Sequence, residues 1–301
     1  MRRTLLLALM LVAGAFAAGA EPLKVVTTTS DLASIAKEVG GDRITVESIA
    51  RGYQDPHFVE AKPSFLLLIK NAELLAVVGL ELEIGWLPPL IEQSRNAKVH
   101  PGSDGYLDLS TGVEIVDKPT SAVDRSMGDI HAMGNPHYWV EPGNAIRIAI
   151  QFRDRLAKLR PADEGYFTAR LNDFKVRAND ANKRWTAALA PYKRAKIVTY
   201  HRSWQNFVKR YQLEVIDYVE PKPGVPPSPS HLFDLVQEMK SKGVKVLLVE
   251  PYFDLKTPNS VAEKTGAKVI VMYPSVGGAP GLDDYFTLFD RNIKALAEGL
   301  K

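Results

Sequence analysis

The chain has 301 residues, no cysteine, and 38 basic against 35 acidic side chains. A chain this long buries a sizeable core without disulfides, and the lack of thiols restricts any metal site to histidine and carboxylate ligands. The near balance of charge, with no basic block interleaved with aromatics, excludes a nucleic-acid partner.

Arg2 and Arg3 precede an apolar run from Leu5 to Ala17, and Ala18-Gly19-Ala20 places small residues before Glu21. This reads as a cleavable secretory signal over residues 1–20. The run is short for a membrane span, and no later stretch approaches about 20 uninterrupted apolar residues. A lipid anchor would need a thiol, so the expectation is a freely diffusing periplasmic protein and not a lipoprotein.

From Leu23 to Thr28 the chain is β-prone, and an apolar-periodic stretch from Asp31 to Val39 closes at Gly40-Gly41. Ile44 to Ile49 reads as a strand, Pro63 to Asn71 as a helix and Glu73 to Val78 as a strand. Strands alternating with helices predict a parallel sheet. Helical patterns follow over Asn144 to Leu159 and Ala162 to Ala190, the second opening just after Pro161, a position proline tolerates. A helix of that length spans about 40 Å and would act as a stiff rod. A second βα series uses Lys196 to Tyr200, Glu214 to Ile216, Val244 to Val249 and Ala267 to Met272. The reading is α/β: an N-terminal lobe over 21–160, a linking helix over 161–190 and a C-terminal lobe over 191–301. Lys118 to Gly134, and Glu220 to Ser230 with its five prolines, read as surface loops.

Of 6 histidines, three share a local setting: Asp55-Pro56-His57, Asn135-Pro136-His137-Tyr138-Trp139 and Tyr200-His201-Arg202-Ser203-Trp204. Proline before a histidine fixes the approach of the backbone, and His201 follows a strand end, where α/β sheets bind ligands. Three imidazoles suit zinc and leave a fourth tetrahedral position for a carboxylate or water. Glu250, directly after the apolar strand Val246 to Val249, is the candidate carboxylate; the plainer reading makes it a salt-bridged loop acid. Asp55 and Glu60 flank His57 and either orient its ring or start the helix near Pro63. His131, in the irregular loop, reads as an exposed bystander, and His100 and His231 as surface residues. Trp139 and Trp204 read as core residues that could wall the site.

The sequence resembles the solute-binding proteins of ABC transporters for zinc and manganese over essentially the whole mature chain. The marks are Asp55-Pro56-His57 with Glu60 and Pro63-Ser64, Asn135-Pro136-His137-Tyr138-Trp139 with Pro142, Tyr200-His201, Val249-Glu250-Pro251 and Thr265-Gly266-Ala267. The resemblance implies two βα lobes joined by one long rigid helix, with a metal ion clamped in the cleft between them. It implies that His57 and His137 are ligands, and that a third histidine, His201, favours zinc where manganese binders often have Glu. Mn²⁺ or Fe²⁺ is the alternative cargo. Relatives usually supply a fourth ligand, an Asp, after the last strand, but this chain has Tyr273-Pro274-Ser275. Glu250, an acid from Asp283 or Asp284, or water would replace it, with Glu250 preferred and Tyr273 a possible partner to the ligating carboxylate. Zinc-importer-like relatives often carry a histidine-rich stretch where this chain has only His131.

The function expected is capture of one divalent ion, chiefly Zn²⁺, by a monomer that delivers it to a membrane permease, with no catalysis. Three histidines plus water is also a hydrolase arrangement with Glu250 as base, and a receptor for a metal chelate or an adhesin is a third class.

Overall fold

The computed structural model describes residues 21–121, 123, 128 and 130–301; the expected leader, and part of the loop from Lys118 to Gly134, lie outside the described residues. The first half of the chain alternates β1 (Leu23–Thr27), α1 (Ser30–Gly40), β2 (Ile44–Ser48), α2 (Pro63–Asn71), β3 (Leu74–Val77), α3 (Leu87–Ser94) and β4 (Tyr106–Asp108), then adds α4 (Asn144–Leu159). After α5 (Glu164–Leu189) come β5 (Lys196–Thr199), α6 (Gln205–Tyr211), β6 (Glu214–Tyr218), α7 (Pro229–Lys242), β7 (Val246–Val249), α8 (Lys256–Thr265), β8 (Lys268–Val271) and α9 (Tyr285–Leu300). Among the described residues, no helix is long and apolar enough to cross a membrane.

The strands form two parallel four-stranded sheets, ordered β2-β1-β3-β4 and β6-β5-β7-β8. The central strands β3 (LLAV) and β7 (VLLV) are buried at every position, as expected where both faces of a parallel sheet are covered. The two lobes therefore share one topology without an evident repeat in sequence. In each, the winding reverses beside the first strand, which opens a crevice at the carboxyl ends of β1 and β3, or of β5 and β7. In the first lobe Glu83 fills that crevice, accepting hydrogen bonds from the Thr28 hydroxyl at 2.6 Å and from the Val78 and Gly79 amides at 2.7 and 3.1 Å. In the second lobe the corresponding strand ends carry His201 and Glu250.

The linking helix α5 has 26 residues, about 39 Å, and is not a free-standing rod. Phe167, Leu171, Phe174, Ala178, Ala181, Trp185 and Leu189 form a buried stripe along it. That stripe joins the apolar side chains of both sheets, from Leu23 and Leu74 to Val246 and Leu248, into one core cluster. Phe286 and Phe289 of α9 lie against Phe174 and Trp185, and the Trp185 indole donates to Asp290 at 2.6 Å. The helix thus fixes the lobes along their backs, leaving the strand ends facing the cleft.

The loop after β8 closes a second junction. The indole of Trp139 donates to the Pro274 carbonyl at 2.9 Å, and the Tyr285 hydroxyl donates to the Trp139 carbonyl at 2.6 Å. Both backbone groups of Val276 are held by the start of α1: its carbonyl accepts from the Ser30 hydroxyl at 2.6 Å and its amide donates to Asp31 Oδ1 at 3.0 Å. Gly52 permits this approach, since a Cβ there would stand 1.9 Å from the Val276 oxygen. Asn292 grips the backbone of Tyr273 on both sides, at 2.9 and 2.6 Å. The segment that resemblance would make a source of metal ligand is an inter-lobe clasp.

Asp31 is fully buried, its Oδ2 has no partner, and burial pushes its carboxyl from 3.8 up to about 7. Between those pH values the folded protein holds a proton that the unfolded chain has released, so the group's contribution to stability is complete below about pH 4 and drains away as pH rises through 7. A change of that size corresponds to up to about 4 kcal/mol. Asp31→Asn keeps the acceptor for Val276 and carries no charge. The metal-free variant should therefore show a flatter dependence of melting temperature on pH between 4 and 8 than the parent protein. Parallel profiles for the two proteins would refute this account of the clasp.

Candidate metal site

His57 lies in the loop between β2 and α2, His137 just before the short 3₁₀ turn Tyr138–Val140, and His201 directly after Tyr200 at the end of β5. The first two are built by one local device. Asp55 Oδ1 accepts from the His57 amide at 3.0 Å and lies 2.7 Å from its Nδ1; Asn135 Oδ1 does the same for His137, at 3.0 and 3.0 Å. The side-chain oxygen two residues before each histidine thus fixes backbone and ring together, and the intervening proline limits the turn between them. Asn135 also donates to the Arg202 carbonyl at 2.8 Å, which orients its amide oxygen toward His137 and ties the lobes at the site. His201 has a different support: its Nδ1 lies 2.9 Å from Glu220 Oε2, and that carboxylate also accepts from the Gly224 amide at 3.2 Å.

Each Nδ1 faces an oxygen that accepts, so in the neutral, ligating form of each ring the proton sits on Nδ1 and Nε2 presents a lone pair. Among the described residues, the Nε2 atoms of His57 and His137 are buried without a hydrogen-bond partner. One ring nitrogen from each of His57, His137 and His201 lies within 4.8 Å of the others. The ring centroids stand 5.0, 5.5 and 5.7 Å apart. Donors 2.0–2.1 Å from one tetrahedral ion would be separated by about 3.3 Å, so a modest contraction seats the ion. Burial, then the neighbouring imidazoles, push His137 well below 6.5, which keeps it neutral and able to ligate. Burial by itself would raise Asp55; its hydrogen bond and charge pairing with His57 outweigh that and hold it below its usual range.

Glu250 is fully buried at the end of β7, and among the described residues neither carboxylate oxygen has a partner at full hydrogen-bond geometry. Burial raises it to about 8, against a weaker pull from Ser203, and it feels the charges of Asp55 and Glu220 behind His57 and His201. Among the described residues the mutually close donors are the three histidines, and Glu250 stands outside that group. Asp284 caps α9, accepting from the Phe286 and Thr287 amides at 2.8 and 2.8 Å, and Asp283 is exposed, so neither folds back as a ligand. Trp139 stands 5.3 Å from the His137 ring and walls the site, whereas Trp204 packs on Phe207 in the core. His100 is exposed, and His231 is held by the Tyr218 carbonyl at 2.8 Å.

His131 is not an exposed bystander. Its ring stacks on His57 at 5.3 Å, its Nε2 is buried without a partner among the described residues, and burial, then the charges of His57 and His201, lower it to about 3. The loop that bears it is anchored by Glu81, whose carboxylate accepts from the Ala132 amide at 2.7 Å. The sequence reading also missed Asn135 and Glu220 as ring supports. An acceptor two residues before each proline-preceded histidine was legible for the first; Glu220 becomes adjacent to His201 only when β6 pairs with β5.

Two lobes of one topology, joined by a long helix and facing a cleft with three inward imidazoles, define a metal-binding receptor of the solute-binding type. The profile of the family described as "ZnuA: Zinc-uptake complex component A periplasmic" matches residues 25–299, and the chain belongs to that family of solute-binding proteins of metal ABC transporters. It is 28% identical over 291 residues to the "Metal ABC transporter substrate-binding lipoprotein ScbA" of Streptococcus cristatus, covering 94% of this chain and 90% of the relative. It is 27% identical to the "Manganese ABC transporter substrate-binding lipoprotein PsaA" of Streptococcus mitis, covering 94% and 91%. Its fold matches a crystal structure of ZnuA with a TM-score of 0.76 at 22% identity, covering 93% of this chain and 100% of that one.

These relatives correct one expectation. The untethered, non-lipoprotein reading rests on an absence, the missing cysteine, whereas both relatives are named as lipoproteins, proteins held at a membrane by lipid. That reading is dropped.

Because Asp55 fixes the ring of His57, Asp55→Ala should weaken metal binding by about 10- to 100-fold. Asp55→Asn, which copies the support Asn135 gives His137, should recover part of that loss. Chelator-competition titrations of the three proteins check this; equal dissociation constants for the parent and Asp55→Ala would rule it out.

Proposed function

We propose that this protein captures one Zn²⁺ ion between its lobes and presents it to the permease of an ABC importer. The observation that carries the reading is the donor set, three imidazoles converging from both lobes, with a histidine, His201, in the third place. Imidazole suits zinc, whereas Mn²⁺ favours carboxylate and water oxygens. Glu250 enters as the site's negative charge: protonated in its dry pocket near neutral pH, it is favoured as carboxylate once a dication sits nearby. A manganese cargo is the second reading, favoured by the manganese-named relative.

Equilibrium competition against a chromophoric chelator separates the two. The expected result is one Zn²⁺ per chain, bound at least about 100-fold tighter than Mn²⁺, with His201→Glu narrowing the gap. Manganese bound as tightly as zinc by the parent protein would overturn the zinc reading.

A further inference from the structure

The three-histidine cluster leaves one position of a tetrahedral ion unfilled, and the geometry narrows what can fill it. The loop after β8 is spent on the clasp: Tyr273 is gripped by Asn292, Pro274 by Trp139, and Val276 by Ser30 and Asp31. Glu250 and His131 both lie outside the group of mutually close donors, so either must move to reach the ion. One further nitrogen in the vicinity is buried and has no hydrogen-bond partner among the described residues, Nε2 of His131. Its ring stands 5.3 Å from that of His57, a spacing inside the 5.0–5.7 Å range that separates the three cluster rings from one another.

His131 also lies in the walls of two cavities. A cavity of about 890 Å³ lined by His57, Phe58, Glu60 and Glu81 has His131 in its wall. So does a smaller one of about 280 Å³ lined by Asn135, His137, His201 and Arg202. The loop is held there at a cost: Leu80 and Glu81 are consecutive non-glycine residues at φ 52° and 67°, a left-handed conformation that L-residues resist. The strained turn brings the Glu81 carboxylate to the Ala132 amide, next to His131, and Gly134 at φ 111° closes the loop with a hydrogen bond to the His131 carbonyl at 3.1 Å.

We infer that His131 is a fourth ligand of the captured ion, a donor brought by the first lobe's own loop, with Glu81 as its positioning residue. This rests on the receptor reading above. On loading, the His131 ring leaves its stack on His57 and turns Nε2 to the ion, giving a site of four imidazoles in place of three and an oxygen. Such a site would suit Zn²⁺ and disfavour Mn²⁺ more strongly than three imidazoles and a carboxylate.

The test uses the whole chain loaded with Zn²⁺ and with Co²⁺, comparing the parent protein with His131→Phe, His131→Ala and Glu81→Ala. Phenylalanine keeps the stacking on His57 and removes the donor. The expected outcome is a zinc dissociation constant raised about tenfold or more in both His131 variants, with a smaller rise in Glu81→Ala that Glu81→Gln reverses. The visible absorption of the Co²⁺ form should move to longer wavelength in His131→Phe, as an oxygen replaces a nitrogen. If His131→Phe keeps the parent affinity and Co²⁺ spectrum while His201→Ala loses binding, the inference fails and the receptor reading survives. If the parent protein binds neither ion, both fall.

Discussion

Everything at the cleft depends on where three protons sit. Asp55, Asn135 and Glu220 each place an oxygen against the Nδ1 of a histidine, and that contact does two things at once. It turns the ring to a fixed angle, and it commits the proton to the outer nitrogen so that the inner one is a lone pair. Without those contacts the imidazoles could rotate, exchange tautomers, or turn toward solvent. With them, the three inner nitrogens draw together, and those of His57 and His137 are buried without a partner among the described residues, a desolvation that a bound cation would offset. The neutral Asn135 beside the charged Asp55 and Glu220 also matters, since it limits the negative charge stored in the metal-free site.

The rest of the fold serves that convergence. The doubly wound sheets bring their carboxyl ends to the cleft, α5 and α9 weld the lobes from behind through a shared apolar cluster, and the Val276 clasp holds α1 to the loop after β8. Two ligand candidates arrive from the first lobe and one from the second, so the relative position of the lobes sets the donor spacing. A receptor of this construction gains by being stiff: an ion that needs only a small contraction of its ligands loses little binding energy to reorganisation. At Tyr273 the backbone is engaged on both sides by Asn292.

Much of this was legible in the sequence because the signals were local. Alternation of apolar runs with helical periodicity marked β1, β2, β3, β5 and β7 within a residue or two, and α2 and α4 coincide with their predicted bounds. β4, three residues long, and α3, with prolines in its first turn, lack such periodicity and were not read. The matched Pro-His settings picked out His57 and His137, and the place after a strand end picked out His201. What stayed hidden depends on long-range packing: Glu220 meets His201 only through strand pairing, and nothing in the composition of the loop around His131 reveals that Glu81 folds it inward. Burial of Glu250 followed from its place after a central strand, but its separation from the three donors required the two lobes to be assembled.

The central claim is that imidazoles from both lobes bind one ion directly. X-ray absorption on the zinc-loaded protein tests it most directly, because multiple scattering from imidazole rings counts them. The account predicts a first shell at about 2.0–2.1 Å containing at least three imidazole nitrogens. A shell made mainly of oxygen, with one imidazole or none, would contradict it.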